Sequence, residues 1–217
     1  MKNPQSSDWD HFWGREPKAG GAVSWSKRRI IHTIEPFLEG KNRILDAGTG
    51  SGFFSKYFCG RGLKTVALDY SDAALALAKK MTEGRAQVVK SDLLSDSLPQ
   101  KLNDKFDVIF TDGLFEHFEV SGQDKIMRNF LSVLAPEGLI ITFVPNRFSP
   151  WEFIRPFFMP GIEETPFVLS NLIRLHESHG LMIIGKGGIN TLPFWLSPDA
   201  FLGRYFGMLL YAIAKHK

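Results

Sequence analysis

Ile44-Leu45-Asp46-Ala47-Gly48-Thr49-Gly50-Ser51-Gly52 is an apolar run that breaks into glycines at alternate positions, and a stretch of helical patterning follows it. Glycine permits a tight turn and a close approach of backbone to ligand, and the helix start behind the turn offers free N–H groups. Strand, glycine turn and helix in that order predict a nucleotide-type ligand lying against the turn. A dinucleotide loop carries its third glycine at the last place of G-x-G-x-x-G. Here that place is Phe53, and the glycine falls one residue early at Gly52. The pattern disfavours a nicotinamide cofactor and, with it, an oxidoreductase.

Outward from this turn, short apolar runs at residues 43–47, 65–69, 87–89, 107–111 and 139–144 alternate with helical patterns at 52–60, 73–81 and 124–134. Such alternation predicts an α/β fold, a doubly wound Rossmann-like sheet that is mostly parallel and has helices on both faces. A helix is expected at 169–179, with two last strands at 182–185 and 208–214. Ahead of the first strand, residues 24–38 carry apolar positions at helical spacing, with Ser24 or Ser26 as the cap. Trp9, Phe12 and Trp13 precede the breakers Pro17, Gly20 and Gly21, which suggests a short aromatic helix and a flexible joint. The organisation expected is an N-terminal helical lid over residues 1–40 and a single domain over 41–217, with an insertion at about 145–168 that shapes the substrate site.

Asp69 closes the second predicted strand about 20 residues after the glycine turn, where a carboxylate can accept both hydrogen bonds of a ribose diol. Tyr70 follows it, and Ser91-Asp92-Leu93 follows the third strand. Ligands of open α/β sheets bind at the carboxyl ends of the strands, so Asp46, Asp69 and Asp92 are expected to converge on one crevice.

The spacing D-x-G-x-G-x-G, with its acidic partners, resembles motif I of the class I methyltransferases that use S-adenosyl-L-methionine (SAM), over roughly residues 40–145. The resemblance implies a last strand antiparallel to the rest, and S-adenosyl-L-homocysteine (SAH) as product. It also implies that Gly48, Thr49, Gly50 and Gly52 cradle the methionine part and that Asp46 anchors its amino end. Asp69 and Tyr70 would take the ribose and adenine, Asp92 the adenine amino group, and Leu93 the ring face. Thr111 would line the pocket. Leu134-Ala135-Pro136-Glu137-Gly138-Leu139 matches the turn that the family places just ahead of its fifth strand.

The fourth strand ends in Thr111-Asp112-Gly113-Leu114-Phe115-Glu116-His117, where the family lines its substrate pocket. Methyl transfer from a sulfonium is an in-line displacement, so alignment and removal of the acceptor's proton are the main demands. His117 is the candidate base, with Glu116 or Asp112 orienting it or touching substrate; the other reading has Glu116 and His117 simply hydrogen-bonding the surrounding loops. The ubiquinone-type O-methyltransferases carry E-x-x-E-H at this place and can use a divalent metal. Gly113 stands where the first Glu would be, so no metal is expected.

Residues 145–167 supply Phe148, Trp151, Phe153, Phe157, Phe158 and Met159 among Arg147 and Arg155. An aromatic wall with two arginines suits an apolar or aromatic acceptor bearing an anionic group. Core, dimer contact and membrane-surface patch are the other readings of the same residues. The expected partner is therefore a small-molecule substrate.

Composition narrows the rest. The 217 residues are 44% hydrophobic and 23% charged, with a net charge of +3. That charge is too slight to suggest nucleic-acid binding, although Lys27-Arg28-Arg29 keeps RNA or protein methylation open as an alternative. The N-P-P-Y motif of amino-group nucleic-acid methyltransferases is missing, and Cys59 lies in the wrong place for a cytosine C5 nucleophile. A non-catalytic SAM-binding module is the alternative from another class. Cys59 is the sole cysteine, so no internal disulfide can form, and a cytoplasmic location fits. The first residues lack the apolar run of a secretory signal, and no stretch reaches the ~20 apolar residues of a transmembrane helix. The sequence does not set the oligomeric state.

Overall fold

Ile44 and Leu45 are both fully buried although they point to opposite faces, the behaviour of a parallel strand covered on both sides. This strand, β1 (Arg43–Ala47), lies between β2 (Lys64–Asp69) and β4 (Phe106–Asp112) and is parallel to both. On its other side β2 pairs in parallel with β3 (Gln87–Lys90). With β5 (Leu134–Pro145), β6 (Leu181–Ile189) and β7 (Leu209–His216) the sheet has seven strands in the order β3-β2-β1-β4-β5-β7-β6. The last two strands pair antiparallel. The sheet is therefore the expected Rossmann-like α/β type, mostly parallel with an antiparallel end. The computed structural model describes residues 6–14, 24–153, 164–192 and 196–217.

The α-helices of five residues or more among the described residues are α1 (Ser6–Gly14), α2 (Trp25–Ile34), α3 (Phe53–Gly60), α4 (Asp72–Met81), α5 (Leu98–Leu102), α6 (Val120–Val133) and α7 (Leu169–Glu177). Three details differ from the sequence reading. Residues 24–38 hold α2 and then a single 3-10 turn, Glu35–Phe37, because Pro36 cannot donate to a continuing α-helix. The short α5 was not expected, since five residues are too few to display an apolar stripe. The turn expected at residues 134–139 is already extended and forms the start of β5. None of the described helices is long and apolar enough to cross a membrane.

The chain divides into two compact units. One comprises Met1–Gly20, Gly40–Thr111 and Phe118–Ile140; the other comprises Gly21–Glu39, Asp112–His117 and Ile141–Lys217. In the first unit, Phe54 and Phe58 of α3 stack on Phe110 of β4, with ring centroids 4.8 and 5.2 Å apart. Gly52, at the start of α3, has φ +74°, and a Cβ there would fall 2.9 Å from the Ala78 Cβ of α4 and closer still to its backbone. Only glycine fits that contact, because both sides of it are held by helices. At the start of α4 the Ser71 hydroxyl accepts from Ala74 N–H (3.1 Å), and Asp10 of α1 accepts both the Ser71 O–H (2.6 Å) and Ala73 N–H (3.2 Å). The Ser71 bond is the main cause of a carboxyl held below the usual Asp range.

In the second unit, Asn146 is a junction. Its side-chain amide donates to the carbonyls of Tyr205 (3.1 Å) and Gly207 (2.9 Å), and its backbone bridges to Phe167. Residues 165–167 run on as an extended ribbon, with Phe167 N–H donating to Pro145 O (2.9 Å) and Thr165 N–H to Glu116 O (2.8 Å). On α7, His176 is fully buried: its Nδ1–H donates to the Leu172 carbonyl (2.9 Å) and its Nε2 accepts the Thr142 hydroxyl (3.1 Å). Burial pushes this imidazole down to about 4.

Two outcomes are expected. Gly52→Ala combines a strained positive φ with a backbone clash and should lower stability by ~3 kcal/mol or more in a denaturant titration; a loss under ~1 kcal/mol would mean that α3 and α4 can separate at no cost. For His176, the unfolded chain protonates near the ordinary 6.5 and the folded chain near 4. Unfolding therefore takes up a proton in that window, and this residue's contribution is complete above about 6.5 and falls as pH drops toward 4. Between pH 7 and 4 the wild type should lose on the order of 3 kcal/mol relative to His176→Gln. A constant difference would show that the buried ring does not titrate this way.

Candidate functional site

The turn from β1 into α3 is held from inside by two carboxylates. Asp46, at the end of β1, accepts the hydroxyls of Thr49 (2.8 Å) and Ser55 (2.6 Å) on one oxygen. Asp69, at the end of β2, accepts Gly50 N–H (3.0 Å) on one oxygen and the N–H groups of Tyr70 (2.8 Å) and Ser71 (3.1 Å) on the other. Gly48 and Thr49 donate their N–H groups to the Leu68 carbonyl at 2.8 and 3.0 Å. Asp46, Gly48, Thr49, Gly50, Gly52, Asp69 and Tyr70 thus form one connected cradle.

Both carboxylates are nearly out of water, and desolvation is the largest influence on each. It pushes Asp46 up to about 6, against the two hydroxyls that favour its charged form, and the charge of Asp69 adds to the rise. Asp69 is raised as well, with its three backbone donors opposing. A raised carboxylate inside a ligand-binding loop is poised to gain from a cation brought close to it.

Asp92 and Leu93 lie on the next turn. Ser91 N–H donates to the Asp69 carbonyl (3.0 Å), so that turn starts alongside Asp69, and Asn129 of α6 fixes it by donating to the carbonyls of Leu93 (2.7 Å) and Ser95 (3.1 Å). Leu93 is buried, whereas Asp92 is exposed and accepts Leu94 N–H (2.8 Å). Thr111, at the end of β4, is fully buried, and its hydroxyl has no hydrogen-bond partner among the described residues. A buried hydroxyl in that position is a ready contact for a polar ligand atom.

The second unit holds the other candidates. Asp112 faces Lys27, whose ammonium is pushed down by burial and partly restored by that carboxylate. Glu116 and His117 form a buried 3-10 turn, Phe115–His117. His117 Nε2 stands 4.0 Å from Glu116 Oε1 and 3.9 Å from Glu164 Oε1. Of the aromatic segment, Phe148 and Phe153 are exposed, Trp151 is half-buried, and Arg155, Phe157, Phe158 and Met159 lie outside the described residues.

Several contributors were not foreseen. Trp13 of α1 lays its ring on the glycine turn: a Cβ at Gly50 would sit 2.6 Å from it. Ser55 and Asn129 look like ordinary helix residues until their partners are known. Glu164 lies 48 residues from Glu116, and no spacing rule connects the two. The aromatic and acidic character of Trp9-Asp10-His11-Phe12-Trp13 was the only visible hint that the first helix docks on something.

Comparison with known proteins places this geometry. Residues 44–138 match the family described as the methyltransferase domain. The chain is 27% identical over 126 residues to a ubiquinone biosynthesis O-methyltransferase of Pseudomonas putida, covering 58% of this chain and 50% of that one. It spans about half the length of the curated relatives it matches. Among solved structures, a SAM-dependent methyltransferase from Anabaena variabilis superposes with TM-score 0.73 at 20% identity, over 100% of this chain and 98% of the other. The magnesium protoporphyrin IX methyltransferase of Synechocystis, solved with SAH bound, gives 0.66 at 13% identity over 99% and 96%. At such identities the likeness to these structures is one of fold. The domain match over residues 44–138, the strand order and the carboxylate-braced glycine turn agree: the chain carries a methyltransferase domain and shares the fold of these SAM-dependent methyltransferases.

Proposed function

We propose that this chain transfers a methyl group from SAM to a small apolar or aromatic acceptor. The observation that carries the reading is the cradle itself, a glycine turn with its backbone pinned by Asp69 and its inner wall formed by Asp46. The residues present fit SAM: Asp46 and Asp69 stand behind the glycine turn, and the Thr111 hydroxyl lacks a protein partner among the described residues. In this reading the Gly48–Gly52 backbone takes the methionine portion and Asp46 its ammonium. Asp69 and Tyr70 take the ribose, and Asp92 with Leu93 the adenine.

SAM supplies a methyl group on a sulfonium, which passes to the acceptor as the S–C bond breaks and its electrons stay on sulfur. The chain's work is alignment and removal of the acceptor's proton. That second task falls to the Glu116–His117 turn with Asp112 beside it. The curated relatives are O-methyltransferases of ubiquinone biosynthesis, so phenolic oxygens are the acceptors to test first. A nucleic-acid substrate is less suited, because two charges of the Lys27-Arg28-Arg29 cluster are used within the chain. Arg28 lies over the Trp25 ring (5.5 Å), and Arg29 pairs with Asp199 (3.6 Å) and donates to Leu192 O (2.7 Å). We place the protein in the cytoplasm, on the strength of its single cysteine.

Calorimetric titration with SAM, SAH and NADH tests the cofactor. SAM and SAH should bind at micromolar levels, NADH should not, and Asp69→Ala should lose both sulfur nucleosides. Binding of NADH alone, or of none of the three, would overturn the reading; SAM binding without turnover over a broad phenol and amine panel would reduce it to a binding module. Asp46→Asn separates anchoring from folding. It removes a desolvated charge but keeps an acceptor for Thr49 and Ser55, so the melting temperature at pH 7 should hold or rise. SAM affinity should fall ten- to a hundredfold, roughly the worth of a charged hydrogen bond. Unchanged affinity would remove Asp46 from the anchoring role.

A further inference from the structure

Among the described residues of the second unit, most of the large apolar side chains left in water belong to two stretches. In one, a π-helical turn (Asp199–Gly203) runs into a single helical turn (Arg204–Phe206), and Leu196, Phe201, Leu202, Tyr205 and Phe206 are exposed along it. The other carries Phe148 and Phe153. The two share one surface. The Asn146 amide donates to the Tyr205 and Gly207 carbonyls, and Phe148 N–H donates to the Asn146 side-chain oxygen (3.2 Å). At the other side Leu192 N–H donates to Ser197 Oγ (3.0 Å), and Arg29 ties α2, with its exposed Trp25, to the Leu192 carbonyl.

The exposure is built in. Asp199 accepts the N–H groups of Asn190 (3.0 Å) and Thr191 (2.8 Å) and the Ser197 hydroxyl (2.6 Å), besides its pairing with Arg29. Gly203 meets Gly188 of β6 backbone to backbone. The fold thus holds this turn against the sheet by its polar and glycine positions while its rings face outward. Apolar surface in water is unfavourable, and a contiguous patch of it marks a place that something covers.

Shape and charge identify the cover. Phe153, Phe201, Leu196 and Phe148 are 83%, 79%, 68% and 62% exposed. Side chains so bare stand out from the surface instead of lining a groove. A protein partner would need a fitted pocket for each, whereas the fluid boundary of a bilayer takes in projecting rings without one. Arg147 and Arg204 are exposed on the same two stretches, and no carboxylate stands against either among the described residues; Arg204 lies over the Tyr205 ring (4.6 Å). The carboxylates there do not offset them: Asp199 is paired with Arg29, and Glu152 has one oxygen buried. Rings interspersed with guanidinium groups suit the headgroup level of an anionic membrane, where apolar bodies enter the acyl boundary and charged heads stay with the phosphates.

We propose that this face of the second unit docks on the surface of an anionic lipid bilayer, with the rings of Phe148, Phe153, Phe201 and Phe206 entering the interface and Arg147 and Arg204 meeting lipid phosphates. The attachment is peripheral, since none of the described helices can cross a membrane. It requires neither SAM nor a methyl acceptor and stands apart from the reading of the cradle.

The test sediments the full chain with vesicles of phosphatidylcholine alone and of phosphatidylcholine mixed equally with phosphatidylglycerol. Binding to the mixed vesicles should be about tenfold stronger or more, and should weaken as salt rises. Phe153→Ser combined with Phe201→Ser should reduce it by about tenfold or more, and so should Arg147→Gln combined with Arg204→Gln. All four side chains are exposed, so circular dichroism should show the fold unchanged. Val120→Ser, at a bare apolar position of the first unit (72% exposed), should bind as the wild type does. No binding to mixed vesicles overturns the proposal, as does binding that the phenylalanine pair leaves intact or that Val120→Ser weakens equally. So does a dimer of the lipid-free chain in sedimentation velocity that the phenylalanine pair dissolves, because a second copy would then be the cover. SAM titration of the same samples is a separate readout, so failure of either leaves the other interpretable.

Discussion

Between Gly48 and Gly52 the three glycines take φ angles of 73, 50 and 74°, a path on which the backbone cannot form the ladder of a strand or the first bonds of a helix. The amides along it need other acceptors, and they find the Leu68 carbonyl and the Asp69 carboxylate. Asp46 holds the same turn through Thr49 and Ser55, tying the end of β1 to the first turn of α3. Keeping two carboxylates so far from water raises both of them, which a loop serving only as a connection would have no reason to retain. The rest of the first unit serves this turn: α4 presses on Gly52, α6 fixes the neighbouring loop through Asn129, and α1 covers Gly50.

Much of this was readable in the chain. The glycine spacing, the acidic residues at the ends of the first three strands and the alternation of apolar runs with helical stripes are local features with one physical interpretation each. They led to the sheet, the turn and the pairing of Asp46 with Asp69. The remainder depended on contacts between distant residues. Asp10 capping α4, Asn129 holding the Leu93 loop and Glu164 reaching Glu116 and His117 join residues 34 to 63 positions apart, and nothing in their immediate neighbours announces the partner.

The second unit achieves its own order by different means. Asn146 serves three backbone segments at once, and β6 and β7 pair over their full length with a shift at Ile183/Gly185. Gly188 and Gly203 meet backbone to backbone, so close that neither position can carry a side chain. These contacts secure the ribbon at residues 164–167 from its far end, while the Thr165–Glu116 bond secures it beside the acidic cluster. The placement of Glu164 is thus supported by main-chain hydrogen bonds of the residues that follow it.

Trp13 has a consequence of another kind. Indole emission responds to the polarity and collisions of its surroundings, and here one of the five tryptophans rests its ring directly on Gly50. Any molecule entering beside the glycine turn alters the environment of that ring. The first helix therefore acts as a fluorescent gauge built into the cradle, making occupancy visible by light without a label.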